Sequence, residues 1–291
     1  MPTPSFTVIL PCFNEEGAIE QTITALGESL GEVADYELIV VNDGSTDGSA
    51  ETLRTLEQSV EALRVVHHDR NRGYGAALKT GIRRARAELI VITDADGTYP
   101  NERIPELVEL AGEADMVVGA RTADDVEYPL IRKIPKLFLK SYASWLVGQN
   151  IPDMNSGLRV FRKAVVERFL KILPDGFSFT TTITMAMMTN RYNVVFVPIS
   201  YSARIGKSKI QPIRDTLRFI QLILRTGMYF APLRVFGPLI LLLLTAFCAS
   251  MVYDVFVLEN LTDKTVLLLL FTMNTGMFGL LADMLDKRSA G

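Results

Sequence analysis

The sequence predicts an α/β domain with a mainly parallel sheet, followed by interface helices and a pair of membrane-spanning helices. Three features of the 291 residues indicate this arrangement. Short runs rich in Val and Ile alternate with longer stretches of helical spacing up to residue 121, and polar clusters follow several of these runs. Two long apolar runs lie close together near the C-terminal end. Strands that alternate with helices form mainly parallel sheets.

Five apolar runs have the length of buried strands: Phe6–Pro11, Tyr36–Asn42, Leu63–His67, Glu88–Asp94 and Met116–Arg121. Their apolar residues are nearly continuous, which is typical of strands that are covered on both faces. Between the first two runs, one apolar stripe recurs at helical spacing, at Ile19, Ile23, Leu26 and Leu30. The pattern therefore predicts strands joined by crossover helices.

Polar residues follow three of the runs, at the points where parallel strands would end: Asn14–Glu16, Asn42–Ser45 and Asp94–Asp96. Ligands of open parallel sheets bind at these carboxyl ends. Asp94 and Asp96, one residue apart, could hold Mg²⁺ or Mn²⁺, because hard cations prefer oxygen ligands and also bind diphosphates. Such a metal would neutralise the charge that develops on a leaving nucleoside diphosphate.

The other polar positions have more than one interpretation. Asp43 either hydrogen-bonds a base or ribose, or belongs to a turn, where Asp is favoured anyway. Asp47 or Thr46 is expected to cap the following helix. His67 and His68 are adjacent on a strand and point to opposite faces, so they cannot share a metal ion, and we interpret both as structural.

Composition and motifs exclude several classes of protein. A net charge of −3 argues against a general nucleic-acid binder. The two cysteines, Cys12 and Cys248, have very different contexts, and Cys12 is interpreted as a small buried residue. The segment 71–75 lacks the Gly-Lys-Ser/Thr ending of a mononucleotide phosphate loop, and a dinucleotide fingerprint is absent too.

Two segments are basic and amphipathic. Residues 130–151 carry Arg132, Lys133, Lys136 and Lys140 among apolar residues, and 204–234 carry seven basic residues against one acidic residue, Asp215. The first is either a surface helix with a solvated basic side or a helix on an anionic membrane. Each Lys or Arg near an anionic leaflet contributes about 1 kcal/mol, so the second segment is expected to lie in the membrane interface.

Val235–Leu258 and Thr265–Leu285 are each long enough to cross the ~30 Å hydrocarbon core of a bilayer. Their short connector predicts a hairpin; the alternative is a helical hairpin buried in a soluble core. Basic residues flank the outer ends, at Arg225, Arg234, Lys287 and Arg288. The positive-inside rule therefore predicts a cytosolic domain and cytosolic termini. No signal peptide is expected, because the first apolar run is too short.

Together the motifs resemble glycosyltransferase family 2, and within it the polyprenyl-phosphate branch, which includes dolichol-phosphate mannose synthase and bacterial undecaprenyl-phosphate glycosyltransferases. The resemblance covers roughly residues 6–210 and rests on seven motifs: Pro11-x-x-Asn14-Glu15, Val41-Asn42-Asp43-Gly44-Ser45-x-Asp47, Asn71-x-Gly73, Asp94-x-Asp96, Gly119-Ala120-Arg121, Asp153-x-x-Ser156-Gly157-Leu158-Arg159 and Arg204-x-Gly206-x-Ser208-Lys209. Two departures from the usual pattern stand out: Leu158 replaces the usual Phe, and Gly97-Thr98-Tyr99 stands where the mannose synthases tend to have Leu-Gln-His.

The resemblance implies a Rossmann-like GT-A domain over residues 1–210, juxtamembrane helices over 211–234 and two transmembrane helices over 235–285. It implies an inverting hexosyltransferase, in a bacterial or archaeal plasma membrane, that uses a nucleotide sugar, Mg²⁺ or Mn²⁺ and a polyprenyl phosphate. Self-association through the membrane helices is also expected.

The same resemblance implies roles for individual residues. The nucleotide sugar would be bound by Pro11, Asn14, Glu15, Asp43, Gly73 and Asp94, and the metal by Asp94 and Asp96. The acceptor phosphate would be bound by Arg121, Arg132, Arg204 and Lys209, of which Arg121 and Arg204 would act in catalysis together with the two metal-binding carboxylates. A phosphate acceptor is mostly dianionic near neutrality and needs no strong base.

Three alternatives remain at this point. A family 2 enzyme that glycosylates a lipid hydroxyl, such as that of diacylglycerol, would need a base, and Asp153 is the candidate. A nucleotidyltransferase also uses a Rossmann-like sheet and carboxylate-bound Mg²⁺, but would not need the hairpin. A membrane scaffold with an inactive domain would not need both Asp94 and Asp96.

Overall fold

A computed structural model describes residues 5–31, 35–122, 140–201, 221 and 223–289, with side chains as far as residue 285. Its centre is a seven-stranded sheet in the order β3-β2-β1-β4-β6-β5-β7. The strands are β1 (Phe6–Cys12), β2 (Tyr36–Asn42), β3 (Leu63–His67), β4 (Leu89–Ile92), β5 (Met116–Ala120), β6 (Arg159–Arg162) and β7 (Val194–Pro198). Four of the six pairings are parallel, and β6 runs antiparallel to both of its neighbours.

Helices cover both faces of the sheet and continue into a C-terminal hairpin. They are α1 (Ile19–Leu30), α2 (Ser49–Ser59), α3 (Tyr74–Arg84), α4 (Ile104–Leu110), α5 (140–147), α6 (Lys163–Phe169), α7 (Phe179–Thr189), α8 (223–230), α9 (Pro232–Tyr253) and α10 (Asp263–Ser289). A 3₁₀ turn precedes α4, and a π-helical turn follows α9.

The predicted mainly parallel α/β sheet is confirmed, with two differences. All five predicted strands are present, but β4 ends at Ile92, so Asp94 and Asp96 lie in the loop beyond it. The other two strands, β6 and β7, were not predicted. The four residues of β6 have Arg at each end, so the strand leaves no apolar run in the sequence.

The core has one layer on each face of the sheet, because successive side chains of a strand point to opposite faces. Val8 and Leu10 pack under α1 and α4, whereas Ile9 packs under α3, α6 and α7. The predicted stripe of α1 is buried against the first layer, at Ile19, Ile23, Leu26 and Leu30. Each such side chain contributes about 1.5–3 kcal/mol on burial, which holds the carboxyl ends of the strands in place.

Two helices are long and apolar enough to cross a membrane, Pro232–Leu258 and Asp263–Leu285, by length and composition. In the most apolar 18-residue stretch of each helix, only 6% and 11% of the stretch is buried. Phe256, for example, is 80% exposed. The alternative of a hairpin buried in a soluble core is therefore wrong. Between the helices, Asp254 Oδ2 accepts hydrogen bonds from the amide and hydroxyl of Thr262 and fastens the turn.

Short helices connect the sheet to this hairpin. Leu146 of α5 and Ile223, the first residue of α8, pack with Met185 and Met188 of α7. Arg234, in the first turn of α9, donates a 2.7 Å hydrogen bond to the carbonyl of Leu146. The foot of the hairpin is thus attached to the domain. Most of the two basic segments, including 130–139 and 204–220, lies outside the described residues.

Candidate active site

The candidate site lies at the carboxyl ends of β1, β2 and β4. Asp94 and Asp96 follow β4, and Gly97, at φ +68°, allows the tight turn behind them. Asp96 is 7% exposed, and its Oδ1 accepts hydrogen bonds from the amide of Thr98 and, at 2.7 Å, from its hydroxyl. Thr98, one of the two departures from the family pattern, therefore orients Asp96.

Asp94 is held from two sides. The Tyr74 hydroxyl donates a 3.0 Å hydrogen bond to Asp94 Oδ1. Burial and the neighbouring Asp94 raise the pKa of Tyr74 well above its usual range, so the hydroxyl keeps its proton. On the other side, a Cβ on Gly157 would lie 2.8 Å from both oxygens of Asp94. Only glycine allows the backbone this close to the carboxylate.

The donor set fits a divalent metal ion. Mg²⁺ and similar cations are commonly bound by one or two carboxylates together with substrate phosphates and water. Asp94 and Asp96 supply two carboxylates, and a hydroxyl orients each of them. Within the described ranges, no group of three or more His, Cys, Asp or Glu forms a complete metal site. A metal here would therefore depend on ligands from a phosphorylated substrate.

The loops after β1 and β2 are joined by hydrogen bonds. The backbone of Asn14 lies in the left-handed region, at φ 56°. Its side-chain Oδ1 accepts a 2.8 Å hydrogen bond from the backbone amide of Thr46, and its backbone amide donates to Ser45 Oγ. The Glu15 amide donates to Ser49 Oγ at 3.0 Å. Pro11 lies within β1, opposite Val41. The sequence-predicted residues Pro11, Asn14 and Glu15 thus form one rim of the site.

Asp43 forms the centre of a second loop. It is 3% exposed, and its carboxylate accepts hydrogen bonds from the backbone amides of Arg72 and Gly73 and from His68 Nδ1. Nε2 of the same ring contacts Thr80 Oγ1 at 2.9 Å, whereas His67 contacts Asn42. The two histidines have separate partners, and His68 lies just beyond the end of β3 rather than on the strand. Of the two interpretations of Asp43, these bonds favour a loop-forming carboxylate.

Two further predictions concern the neighbouring positions. The N-cap of α2 is Gly48, so the expectation of Asp47 or Thr46 at that position is wrong; Asp47, one residue earlier, still accepts a 3.0 Å hydrogen bond from the backbone amide of Ser49. Cys12 is 1% exposed, and burial raises the pKa of its thiol to about 12. A protonated, buried thiol is a poor nucleophile.

Arg121 and Asp153 form a bidentate ion pair across the site. Arg121 Nε and Nη2 donate to the two oxygens of Asp153 at 2.7 and 3.0 Å, and its backbone amide adds a third bond. Burial disfavours ionisation of Asp153, but the hydrogen bonds and charge of Arg121 prevail and lower its pKa to about 2. The guanidinium also lies 5.2 Å from the ring centre of Tyr201.

Arg159 is a functional candidate that sequence reasoning did not select. It is fully buried, and it donates to the carbonyls of Ser156 and Thr180 and to the hydroxyl of Thr184. Burial lowers its pKa to about 10, so it stays charged at neutral pH. Arg159 thereby fixes the segment that contains Asp153. Tyr74 and Tyr99 were missed as well; Tyr99 Oη accepts a hydrogen bond from the Gly157 amide.

We predict that Arg159→Met lowers the free energy of unfolding by about 3 kcal/mol, because buried carbonyls lose their donors. Thermal unfolding of the detergent-solubilised protein, followed by circular dichroism, measures this change. Arg162→Met is the matched control at the other end of β6, where Arg162 bonds the carbonyls of Ala111 and Gly112 near the surface. Equal losses in the two variants would contradict the prediction.

The structure brings together most of the predicted site residues. Asp94 and Asp96 lie beyond the end of β4, and Arg121, which follows β5, is paired with Asp153. Gly73, at φ +104°, bonds Asp43 and precedes α3. Three predicted phosphate-binding residues, Arg132, Arg204 and Lys209, lie outside the described residues.

These features are those of a nucleotide-sugar-dependent transferase of GT-A type. Comparison of the chain with known protein families and structures agrees with that class. Residues 7–170 match glycosyl transferase family 2, and residues 231–287 match the GtrB C-terminal hairpin. The chain belongs to glycosyl transferase family 2. The family predicted from the sequence motifs is confirmed.

Two curated proteins illustrate the relationship. The chain is 34% identical over 170 residues to an undecaprenyl-phosphate 4-deoxy-4-formamido-L-arabinose transferase of Photorhabdus laumondii, with 57% of this chain and 51% of that protein covered. It is 29% identical over 219 residues to a dolichol-phosphate mannosyltransferase of Mycosarcoma maydis, with coverages of 72% and 74%. The chain therefore spans about half the length of the first of these relatives.

Solved structures support the fold. Glucosyl-3-phosphoglycerate synthase from Mycobacterium tuberculosis, crystallised with Mn²⁺, UDP-glucose and phosphoglyceric acid, superposes with a TM-score of 0.59. The two chains are 19% identical, and the match covers 77% of this chain and 80% of that one. The predicted GT-A fold is thus confirmed.

Proposed function

We propose that this protein is an inverting glycosyltransferase that moves a sugar from a nucleotide diphosphate to the phosphate of a polyprenyl phosphate at the cytosolic face of a membrane. The observation that carries the proposal is that the segment 153–157 joins the two groups: Asp153 is paired with Arg121, and the backbone of Gly157 lies against the carboxylate of Asp94. Relatives named for undecaprenyl-phosphate and dolichol-phosphate sugar transfer, together with the hairpin, support the choice of acceptor.

The donor's diphosphate binds beside the carboxylates after β4. Asp94 and Asp96 would hold Mg²⁺ or Mn²⁺, and the bound ion would supply positive charge for the leaving nucleoside diphosphate. The rim of Pro11, Asn14 and Glu15 surrounds the nucleoside, and Asp43 positions the adjoining loop with Gly73. Because hydrogen bonds fix both loops before the donor binds, little reorganisation is needed on binding.

The acceptor phosphate attacks the anomeric carbon from the face opposite the diphosphate. Its second pKa is about 6, so it reacts as a dianion near neutrality without a general base. Arg121 binds it, because the planar guanidinium suits phosphate oxygens. Asp153 orients Arg121 for this role. Arg132, Arg204 and Lys209 add positive charge along the approach of the lipid.

The state of Asp153 argues against the alternative of a hydroxyl acceptor. A general base works best when its pKa lies near the operating pH. The pKa of Asp153 is about 2, and Arg121 occupies both of its oxygens. Asp153 is therefore a poor base, and a lipid hydroxyl such as that of diacylglycerol would lack one at this position.

The membrane attachment follows from the hairpin and the helices at its foot. α5 is attached to α9 through Arg234 and carries the exposed Trp145, a residue type that is enriched at membrane interfaces. We propose cytosolic termini and the division into residues 1–210, 211–234 and 235–285. Self-association through the two exposed apolar helices also belongs to this proposal.

The topology predicts that a cysteine at Asn260, in the connector of the hairpin, reacts with an impermeant maleimide on intact cells. The variant is built in a Cys248→Ala background, which leaves only the buried Cys12. A cysteine at Ser289 is the control and is expected to react only after permeabilisation. The reverse labelling pattern would place the catalytic domain outside and contradict the topology.

The proposed lipid path predicts that Arg132→Ala and Arg204→Ala raise the KM for polyprenyl phosphate about tenfold or more, because each removes a charged hydrogen bond to phosphate. The KM for the nucleotide sugar is expected to stay within twofold. Lys140→Ala, in α5, is the matched control with a small effect. Loss of donor binding in the arginine variants would assign these residues to the other substrate.

The proposed function is tested with purified protein, a panel of nucleotide sugars and short-chain undecaprenyl phosphate. We expect one nucleotide sugar to yield a glycosylated lipid in the presence of Mg²⁺ or Mn²⁺. Transfer to diacylglycerol, but not to the lipid phosphate, would favour the alternative acceptor. No turnover of any nucleotide sugar would contradict the proposal.

A further inference from the structure

Phe177 is the most exposed large apolar side chain among the described residues of the catalytic part, at 85% exposure against 46% for Trp145 and 40% for Leu110. A single exposed apolar residue needs no explanation by itself. Phe177 differs because its ring is held in a defined place beside the candidate site.

Tyr74 connects this ring to the reacting groups. The rings of Phe177 and Tyr74 stack with centres 5.6 Å apart and planes 17° from parallel. The hydroxyl of Tyr74 in turn donates to Asp94 at 3.0 Å. The ring of Tyr74 and one hydrogen bond thus separate Phe177 from a carboxylate of the proposed metal site. The face of the Phe177 ring that points away from Tyr74 is open to solvent.

The loop that carries Phe177 is fastened to the start of α3. The carbonyl of Asp175 accepts a hydrogen bond from the Ala76 amide, and its side chain pairs with Lys79 at 2.7 Å. A Cβ on Gly73 or Gly75 would lie 2.5 or 2.2 Å from the carbonyl oxygens of this loop. Glycine at these two positions allows the start of α3 and the loop to approach this closely. The exposed ring of Phe177 therefore lies on a loop whose position is fixed.

The position of the loop favours the sugar over the other parts of the two substrates. Thr181, just beyond the loop, bonds Asn155, and Thr180 accepts from Arg159, so the loop is tied to the segment of Asp153. The proposed nucleoside loops after β1 and β2 bond each other and adjoin the Phe177 loop at Gly73, whereas Phe177 itself is linked through Tyr74 to Asp94. The last turn of α7 shares a cavity with Arg234 at the foot of the hairpin, about 15 Å along the helix from its first residue, Phe179, next to the Phe177 loop. A membrane-embedded lipid tail is therefore remote.

We propose that the exposed face of Phe177, supported by Tyr74, is a stacking platform for the sugar of the nucleotide-sugar donor. This inference rests on the proposed function. The C–H groups on one face of a pyranose are apolar and weakly positive, and they pack against the negative face of an aromatic ring. Phe177 thereby helps to orient the anomeric carbon toward the acceptor and to select sugars whose face is free of bulky or charged groups.

The test compares Phe177→Ala, Phe177→Leu and Phe177→Trp by calorimetry, without acceptor, using the nucleotide sugar that the wild type turns over and the matching nucleoside diphosphate. We expect Phe177→Ala to raise the Kd of the nucleotide sugar about tenfold, since such ring contacts are worth up to ~1.5 kcal/mol. Phe177→Leu loses nearly as much, whereas Phe177→Trp keeps most of the affinity. The Kd of the nucleoside diphosphate stays within twofold.

Leu110→Ala removes another exposed apolar side chain, at the far end of α4, and is the matched control with unchanged affinities. Equal weakening of nucleotide sugar and nucleoside diphosphate would overturn the inference, because Phe177 would then contact the base or diphosphate. Unchanged donor binding, with or without a higher KM for the lipid, would overturn it too. If the wild type turns over no nucleotide sugar, the proposed function itself fails.

Discussion

Asp96→Ala is expected to lower turnover by about 10²–10³-fold, as is typical when one group that stabilises developing charge is lost. Asp96 is 7% exposed, and Thr98 holds it toward the proposed metal. Asp94→Ala should be nearly as damaging. The measurement is the initial rate of sugar transfer at saturating concentrations of both substrates, together with the EDTA sensitivity of the wild type.

A control for the metal variants is Asp35→Ala, which removes an exposed carboxylate at the opposite end of the sheet, just before β2. It should retain wild-type turnover. Thermal unfolding of Asp96→Ala should remain close to that of the wild type, since the change lies in a loop. Wild-type activity that survives EDTA unchanged would exclude the metal role of both aspartates.

Arg121→Met is expected to lower kcat/KM for the lipid phosphate by at least about 10²-fold, because it removes a phosphate-binding cation and leaves Asp153 unpaired in a largely buried place. Asp153→Asn should cost about tenfold or less, since an amide oxygen can still accept a bond from Arg121. The comparison of the two single variants with the double variant measures their coupling. A far greater loss in Asp153→Asn than in Arg121→Met would identify Asp153 as a base.

The pH profile provides a second measurement on the same pair. The pKa of Asp153 is lowered to about 2, so Asp153 stays ionised throughout the range from pH 5 to 9. Activity should therefore rise with pH through about 6, where the acceptor phosphate becomes a dianion. The stability that Asp153 contributes is present above its unfolded pKa of about 3.9 and is lost as the pH falls toward 2. A rate inflection that disappears in Asp153→Asn would contradict this assignment.

The part of the fold that could be predicted is the part with local patterns. Buried parallel strands leave continuous apolar runs, and the predicted bounds of Tyr36–Asn42 and Leu63–His67 agree with the structure, whereas those of the other three strands differ by one or two residues at an end. β6 has four residues, two of which are arginine, so its sequence resembles a loop. The antiparallel insertion of β6 between β4 and β5 depends on tertiary pairing that no local pattern records.

In the candidate site, too, local sequence patterns predict some residues, whereas others depend on tertiary contacts. Asp94 and Asp96 could be selected because two carboxylates after a predicted strand are a local motif. The roles of Tyr74 and Arg159 depend on contacts with residues 20 or more positions away, namely Asp94 and Thr180. Arg159 belongs to one of the seven family motifs, but a fully buried arginine contradicts the usual expectation that Arg is exposed, so only the structure identifies its role.

The most direct measurement is the structure of the reaction product. The glycosylated lipid made from a nucleotide sugar of known configuration is isolated and examined by proton and phosphorus NMR. We predict that the lipid phosphate becomes a phosphodiester joined to the anomeric carbon, with a configuration opposite to that in the donor. A sugar attached to a hydroxyl, with the phosphate still a monoester, or a retained configuration, would contradict the proposed reaction.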